Sequence, residues 1–335
     1  MSNGSAPETP RPEFAPRASL EALRFRAGML RRVRRFFEER GFLEVETPLL
    51  SADVVIDLHL DPLPVTVFAD PRQASAGRPM WLQTSPEFAM KRLLAAGFPS
   101  IYQITHAFRG GERGRLHNPE FTLVEWYAVG QGVAEGIQLL SDLAESTLQR
   151  GCAEAMAYRD AFLKWAGVDP LQAGCAELAA AARQNGVAIP DGQELQDRDG
   201  WLDLLLVDCI EPHLGRSQPI VLYDYPPSQA ALARIRPDCP PVAERFELYV
   251  DGIELANGYH ELRDAEELRR RNETVNRQRA AEGKRTLPVE SRLLAAMESG
   301  LPPCTGVALG FDRLVMLAFE ASDLAQVLPF PLEIA

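Results

Sequence analysis

The chain has 335 residues, of which 46% are hydrophobic and 24% charged, a composition typical of a globular protein with a sizeable core. Its 47 acidic and 35 basic residues leave a net charge of −12, which argues against a protein that coats nucleic acid through general positive charge. Five scattered cysteines and the lack of a long apolar stretch argue against a disulfide framework, structural zinc and a membrane span, so we expect a cytoplasmic protein.

The N-terminal part of the chain predicts a tail followed by a basic helix. Residues 1–18 are rich in proline and serine without an apolar core, so we expect a flexible tail. From Ser19, apolar residues recur at helical spacing with arginines between them, which predicts an amphipathic helix that ends at Gly41. Its basic face is either simply solvated or attracts an acidic partner. A short strand over 42–50 follows.

The rest of the chain alternates between strand-rich and helix-rich parts. Short strands are predicted at 65–68, 80–84, 101–105 and 121–129, with a helix at 86–96 between the second and the third. Alanine- and leucine-rich helices at 132–150, 159–166, 174–185 and 200–214 form a helical insertion at about 130–215. Strands at 220–223 and 245–253, a charged helix at 265–282 and a strand–helix unit at 305–320 complete the chain. This order, without βαβ alternation, favours an α+β fold around an antiparallel sheet flanked by helices.

A glycine-rich hairpin is the first segment that suggests chemistry. Residues 107–127, AFRGGERGRLHNPEFTLVEWY, carry three arginines, a histidine and an asparagine between two strands, a set that suits a triphosphate. On the second strand, Phe121, Glu125 and Tyr127 alternate onto one face, where they could form the floor of a pocket for a cationic small molecule. The alternative is an arginine-rich surface hairpin over a half-buried strand.

Two further segments have patterns that are weak when taken alone. Residues 41–50, GFLEVETPLL, join a helix to a strand that closes near Pro48. Residues 306–317, GVALGFDRLVML, predict a strand thinned by glycine, which lets a ligand approach the backbone, and then a helix. Arg313 near the start of that helix could cover a nucleobase or pair with a phosphate.

Together and in this order, the three segments resemble motifs 1, 2 and 3 of the class II aminoacyl-tRNA synthetases, from about Leu20 to the end of the chain. The sequences HNPEFT, GVALGFDR and, after TSP, EFAMKRLL are most similar to those of the lysyl-tRNA synthetases. The resemblance implies one catalytic domain over 19–335, use of ATP and Mg²⁺, and a homodimer with Pro48 near its two-fold axis. Only a short tail precedes motif 1, so we expect no anticodon-binding domain and no tRNA partner.

One position separates this chain from the tRNA-charging enzymes. Ala308 stands where lysyl-tRNA synthetases have glycine, and the segments GRLHNPEFTLVEWY and GIELANGYHEL resemble truncated paralogues that attach (R)-β-lysine to elongation factor P. A methyl group there would disfavour an α-amino substrate by about 1–3 kcal/mol. The resemblance implies formation of a lysyl-adenylate and transfer to a lysine of elongation factor P. The alternatives are lysine activation for tRNA or another acceptor, and a non-catalytic paralogue.

The resemblance also implies roles for individual residues. Arg109 and Arg313 would be the catalytic pair, with Arg109 on the α-phosphate and adenine between Phe121 and Arg313. The implied nucleotide contacts are Arg109, Gly110, Gly111, His117, Asn118, Phe121, Glu254, Leu255, Gly310 and Arg313. The implied amino-acid contacts are Ser85, Pro86, Glu87, Glu125, Tyr127, Glu261 and Ala308.

Two details of these roles depend on local backbone geometry. Glu254 and Glu261 are the implied Mg²⁺ ligands, and a bulge at Gly258 would bring them together on one strand. Motif 2 normally has a glutamate where this chain has Gly111. Either Glu112 takes over its contact with adenine through a shift of the loop, or backbone atoms do.

Overall fold

The computed structural model describes residues 12–70, 72, 77–188 and 197–335. The helices are α1 Leu20–Glu38, α2 Glu87–Ala95, α3 Val133–Leu148, α4 Tyr158–Trp165, α5 Cys175–Gln184, α6 Arg198–Leu205, α7 Ala265–Ala281, α8 Arg292–Gly300 and α9 Phe311–Ala318. The strands are β1 Leu43–Glu44, β2 Leu50–Ser51, β3 Pro64–Val67, β4 Arg78–Leu82, β5 Ile101–Phe108, β6 Glu120–Val129, β7 Glu154–Ala157, β8 Ile220–Tyr225, β9 Ile235–Arg236, β10 Val242–Val250, β11 Ile253–His260 and β12 Cys304–Gly310.

A large sheet with the strand order β1-β5-β6-β12-β11-β10-β8-β7, and with β9 added to β10, forms the centre of the molecule. Its neighbours from β5 to β8 are antiparallel, and only the outer pairs β1–β5 and β7–β8 are parallel. Strands β2, β4 and β3 form a second, small sheet. The predicted α+β fold with an antiparallel sheet flanked by helices is therefore confirmed.

Strand β6 shows how the sheet separates a core from a functional face. Successive side chains of a strand point to opposite sides. Val124 and Trp126 are fully buried in the largest apolar cluster, which also contains Phe37 of α1. Glu125 and Tyr127, between and beyond them, line a cavity instead. At β6, one face of the sheet thus packs into the main core, and the other carries Glu125 and Tyr127 to the cavity, where the Tyr127 ring also packs with α2 and α8.

The segment predicted as a helical insertion, about 130–215, is tied closely to this sheet. Helix α3 packs into the main core through Leu140 and Leu143, and β7 pairs with β8 at the edge of the sheet. Strand β7 was not predicted because its sequence, EAMA, has little β-propensity. Residues 189–196 of this segment lie outside the described residues.

The predicted flexible tail, 1–18, is only partly described, because residues 1–11 lie outside the described residues. At its end the backbone N–H groups of Arg17 and Ala18 donate to the carbonyls of Pro329 and Leu328, at 2.8 and 3.2 Å. Ala18 is 3% exposed. This end of the tail is therefore anchored rather than loose.

Helix α8 and a separate strand β11 were also missing from the prediction. The Ser291 hydroxyl accepts from the N–H of Leu294 and caps α8, a signal that the sequence contains. No helix in the described part of the chain is both long enough and apolar enough to span a bilayer.

Candidate active site

A cavity of about 520 Å³ lies on the polar face of the large sheet. Of the sequence-predicted site residues, its lining includes Ser85, Glu87, Arg109, His117, Asn118, Phe121, Glu125, Tyr127, Glu254, Leu255, Glu261, Ala308, Gly310 and Arg313. Pro86, Gly110 and Gly111 were predicted as contacts but do not line it. Pro86 directly precedes α2, the N–H of Gly110 bonds to the carbonyl of Asp61, and Gly111 adopts a φ of 80° in the hairpin turn.

Two guanidinium groups mark one end of this cavity, which we call the phosphate end. The Cζ of Arg109 lies 4.9 Å from the centre of the Phe121 ring. Arg313 donates to the carbonyls of Glu254 at 2.8 Å and Leu116 at 3.2 Å. Fixed donors of this kind suit the negative charge that develops on a phosphate.

His117 links the hairpin to motif 3. Its Nε2 lies 2.7 Å from Nη2 of Arg313. Burial lowers the pKa of His117 and the charge of Arg313 lowers it further, so the imidazole stays neutral and its Nε2 accepts this bond. Asn118 lines the same cavity, and its amide group also bonds to the backbone of Glu120 and Leu332, which braces the turn.

At the other end, the amino-acid end, a carboxylate lies buried in the floor. Glu125 is 2% exposed, and Oε1 accepts a 2.7 Å hydrogen bond from the hydroxyl of Tyr127. Its second oxygen has no hydrogen-bond partner among the described residues. Burial, and to a lesser extent repulsion from Glu87, raises the pKa of Glu125 to about 8. An ammonium group of a ligand would donate a hydrogen bond to the unpaired oxygen of Glu125 and neutralise its negative charge.

Lys91 is a site residue that sequence reasoning missed. Its ammonium group is 1% exposed, lies 2.5 Å from Glu261 and also pairs with Glu87. Burial alone would lower the pKa of Lys91, but the two carboxylates outweigh it and hold the pKa above its ordinary value. The i,i+4 spacing of Glu87 and Lys91 on α2 was the available signal. The approach of Glu261 depends on the tertiary fold.

Small residues of β12 give the amino-acid end its depth. Ala308 lies between Glu125 of β6 and Asn257 of β11, its register partners on either side. A Cβ at Gly306 would stand 2.1 Å from Oε1 of Glu261 and 2.3 Å from the Tyr127 ring. Glycine is therefore required at 306, whereas the methyl group of Ala308 borders the space for a ligand.

The predicted metal pair of Glu254 and Glu261 is not formed. The bulge in β11 lies at Leu255, since Tyr249 and Leu248 pair with Glu254 and Ala256. Both glutamates face the cavity, but roughly seven residues of strand put them about 20 Å apart. The absent side chain of Gly258, the predicted bulge, instead leaves room for the Phe246 ring.

Glu247 of β10, which sequence reasoning also missed, is the carboxylate that acts on Glu254. Burial raises the pKa of Glu254, and the charge of Glu247 raises it further. Glu247 accepts hydrogen bonds from Tyr225 and Tyr249, each at 2.6 Å, which hold it in place. Within the described part of the chain, no three or more histidine, cysteine or acidic residues come together in a way that could hold a metal ion by themselves.

Comparisons with known proteins agree with this architecture. Residues 15–334 match the family described as tRNA synthetases class II (D, K and N). The chain is similar to the elongation factor P–(R)-β-lysine ligase of Vibrio vulnificus, with 47% identity over 324 residues, 96% of this chain and 99% of the relative. It is 46% identical over 321 residues to the enzymes of that name from Klebsiella pneumoniae and Salmonella typhi, covering 96% of this chain and 98% of each relative. The chain therefore belongs to the class II tRNA synthetase family of the D, K and N type.

Proposed function

We propose that this protein activates (R)-β-lysine with ATP and transfers it to the ε-amino group of a lysine on elongation factor P. The observation that carries the substrate class is the charge of the amino-acid end. Three buried carboxylates, Glu87, Glu125 and Glu261, face a single ammonium group, that of Lys91. When all are ionised, two negative charges remain, which matches the two ammonium groups of a diamino acid. The names of the relatives support the β-isomer and the acceptor.

In the first step, a carboxylate oxygen of the amino acid attacks the α-phosphorus of ATP. The bond from that phosphorus to the bridging oxygen breaks, and pyrophosphate leaves with its electron pair. Arg109 donates to the α-phosphate oxygens, on which negative charge must be accommodated, while Arg313 fixes the nucleotide on the other side. Catalysis in this step is mainly positioning and electrostatic stabilisation.

Magnesium fits the phosphate end through Glu254 rather than Glu261. Glu247 nearby is already occupied, because it pairs with Arg245 and accepts from the hydroxyls of Tyr225 and Tyr249. No hydrogen bond or ion pair of the Glu254 carboxylate is found among the described residues, and Glu247 repels it. Hard carboxylate oxygens that share a cation with phosphates suit Mg²⁺. When bound, the ion would neutralise phosphate charge. Lys91 already neutralises Glu261, which serves the amino acid instead.

In the second step, the neutral ε-amino group of the acceptor attacks the carbonyl carbon of the adenylate. The bond to the AMP oxygen breaks, AMP leaves, and the new amide nitrogen loses a proton. The protein needs no nucleophile of its own, and none of its five cysteines lines the cavity.

Incubation of the purified protein with ATP, (R)-β-lysine and elongation factor P tests the proposal. We expect a mass gain of one lysyl group on the factor, measured by mass spectrometry. Absence of that gain contradicts the proposal. Charging of total tRNA in a parallel reaction would favour a tRNA-directed enzyme, and absence of ATP–pyrophosphate exchange would favour a non-catalytic paralogue.

Replacing Ala308 with glycine tests what sets the choice of isomer. Removal of the methyl group between Glu125 and Asn257 opens space beside the substrate amine. We expect the ratio of kcat/KM for α-lysine to that for (R)-β-lysine to rise about 10-fold, a typical effect of one methyl group. Ala256→Gly removes a methyl group from the core side of the neighbouring strand and should leave the ratio unchanged. An unchanged ratio in Ala308→Gly contradicts the assignment.

The raised pKa of Glu125 predicts a pH dependence of substrate binding. Below about pH 8 the empty site holds this carboxyl group protonated, and above it the carboxylate attracts the substrate ammonium. We therefore expect KM for the diamino acid to fall as the pH rises from 7 to 9 in wild type. Burial also raises the pKa of Glu261 to about 8, so Glu125→Gln should reduce this fall without abolishing it. Glu120→Gln, on the exposed part of β6, should keep the fall of wild type.

Homodimerisation around Pro48 and a cytoplasmic location stay predictions. Leu43 and Leu49, close to Pro48, are 44% and 41% exposed and support an apolar contact at this place.

A further inference from the structure

One wall of the cavity has no regular secondary structure. Residues 55–61, here called the wall segment, supply Val55, Ile56, Asp57, His59 and Leu60 to the lining, yet residues 53–60 form neither helix nor strand. Backbone carbonyls in such a segment have no ladder partners. The position of this wall therefore depends on side chains that come from elsewhere in the chain.

Arg279, in the last turn of α7, is the main support of the wall segment. The helix is charged, as the sequence predicts, but Arg279 is 1% exposed. Its Nη1 donates to the carbonyls of Asp57 at 2.7 Å and Leu60 at 3.2 Å, and Nη2 donates to Oδ1 of Asp61 at 2.7 Å. Nζ of Lys284 adds a 2.8 Å bond to the carbonyl of Leu58. A planar guanidinium can hold several acceptors in one fixed geometry, which an ammonium cannot.

The wall segment is joined directly to the phosphate end. The carbonyl of Asp61 accepts a 2.7 Å hydrogen bond from the N–H of Gly110, the residue after Arg109, and the two residues form an isolated antiparallel bridge. A Cβ at Gly110 would stand 3.1 Å from that carbonyl oxygen, so glycine permits this close approach. A continuous set of contacts thus runs from Arg279 through Asp61 and Gly110 to Arg109.

We infer that Arg279 is a positioning residue for Arg109. Arg279 holds Asp61 in place, and Asp61 holds the backbone of Gly110 beside Arg109. The position of the Arg109 guanidinium at the α-phosphate depends on this support. This inference rests on the proposed function. A displacement of about 1 Å of a group that stabilises a transition state can cost 100-fold in rate. Loss of the Arg279 guanidinium should therefore lower kcat more than it changes KM.

The test is Arg279→Lys, which keeps the positive charge but removes the planar guanidinium and its set of hydrogen bonds to the wall segment. We expect kcat for ATP–pyrophosphate exchange to fall about 10- to 100-fold, while KM for the amino acid stays within about twofold. Arg270→Lys is the matched control, because Arg270 lies on the exposed side of the same helix in a pair with Glu267. It should retain wild-type kcat. Wild-type kcat in folded Arg279→Lys would overturn the inference.

A double-mutant cycle with Arg109→Lys separates positioning from a general structural effect. If Arg279 acts through Arg109, the double variant should be about as slow as Arg109→Lys alone. Effects that multiply would overturn the inference. If Arg279→Lys does not fold, Asp61→Asn replaces it, since Asp61 is 46% exposed at its side chain. This variant should also lower kcat and show the same non-additivity. Absence of exchange in wild type would instead refute the proposed function.

Discussion

Replacing Arg109 with alanine should lower kcat for ATP–pyrophosphate exchange by about 100- to 1,000-fold, the effect of removing one preorganised donor from a developing negative charge. Arg109 lies against Phe121 at the phosphate end. Its guanidinium makes two long polar contacts, a 3.7 Å ion pair with Glu112 and a 3.4 Å hydrogen bond to the carbonyl of Thr84. Its guanidinium is therefore free to bind the α-phosphate. The free energy of unfolding should change little, because the Arg109 side chain makes few strong contacts within the protein.

The control for this experiment is Arg113→Ala in the same hairpin. Arg113 is 58% exposed and pairs with Glu333 at 3.2 Å, outside the cavity lining. An exposed pair of this kind contributes little to stability, so exchange should remain close to that of wild type. Equal losses in both variants would indicate a general disturbance of the hairpin, and full activity of Arg109→Ala would refute its catalytic role.

Replacing Gly306 with alanine should lower kcat/KM for the amino acid by about 100-fold or more, at the upper end of the effect of one methyl group in a pocket. The new Cβ would overlap both the Glu261 carboxylate and the Tyr127 ring. Either side chain must then move into the space that a diamino acid needs. Overpacking of this kind also lowers the free energy of unfolding by about 1–3 kcal/mol.

Gly28→Ala provides the comparison for that variant. A Cβ at Gly28, in α1, would meet nothing closer than 3.9 Å, so the substitution should leave activity unchanged and not lower the melting temperature. Calorimetry of both variants shows whether Gly306→Ala is folded. Unaltered kinetics for lysine in Gly306→Ala would contradict the placement of the amino-acid end.

Local patterns were sufficient to predict most of the elements and the face of β6. The apolar spacing in α1 predicted its length to within a few residues, and alternation on β6 placed Glu125 and Tyr127 together. Both depend on neighbours in sequence, which a periodic pattern describes well.

The remaining features arise from contacts between distant parts of the chain. The role of Lys91 depends on its ion pair with Glu261. The role of Arg279 depends on its hydrogen bonds to Asp57 and Asp61, which precede it by more than 200 residues. The prediction of Glu261 as a magnesium ligand depends on a bulge in β11 at Gly258, which would bring it close to Glu254. A glycine was the plausible place, but the register with β10 puts the bulge at Leu255.

The two-sided character of β6 constrains how this protein can change over time. Inserting or deleting one residue in the strand would turn Trp126 toward the cavity and Glu125 toward the apolar cluster, and each side chain beyond that point would exchange surroundings. Lineages can thus alter the pocket through substitutions at alternate positions, one at a time. Changes in the length of this strand would disrupt packing and chemistry in the same event.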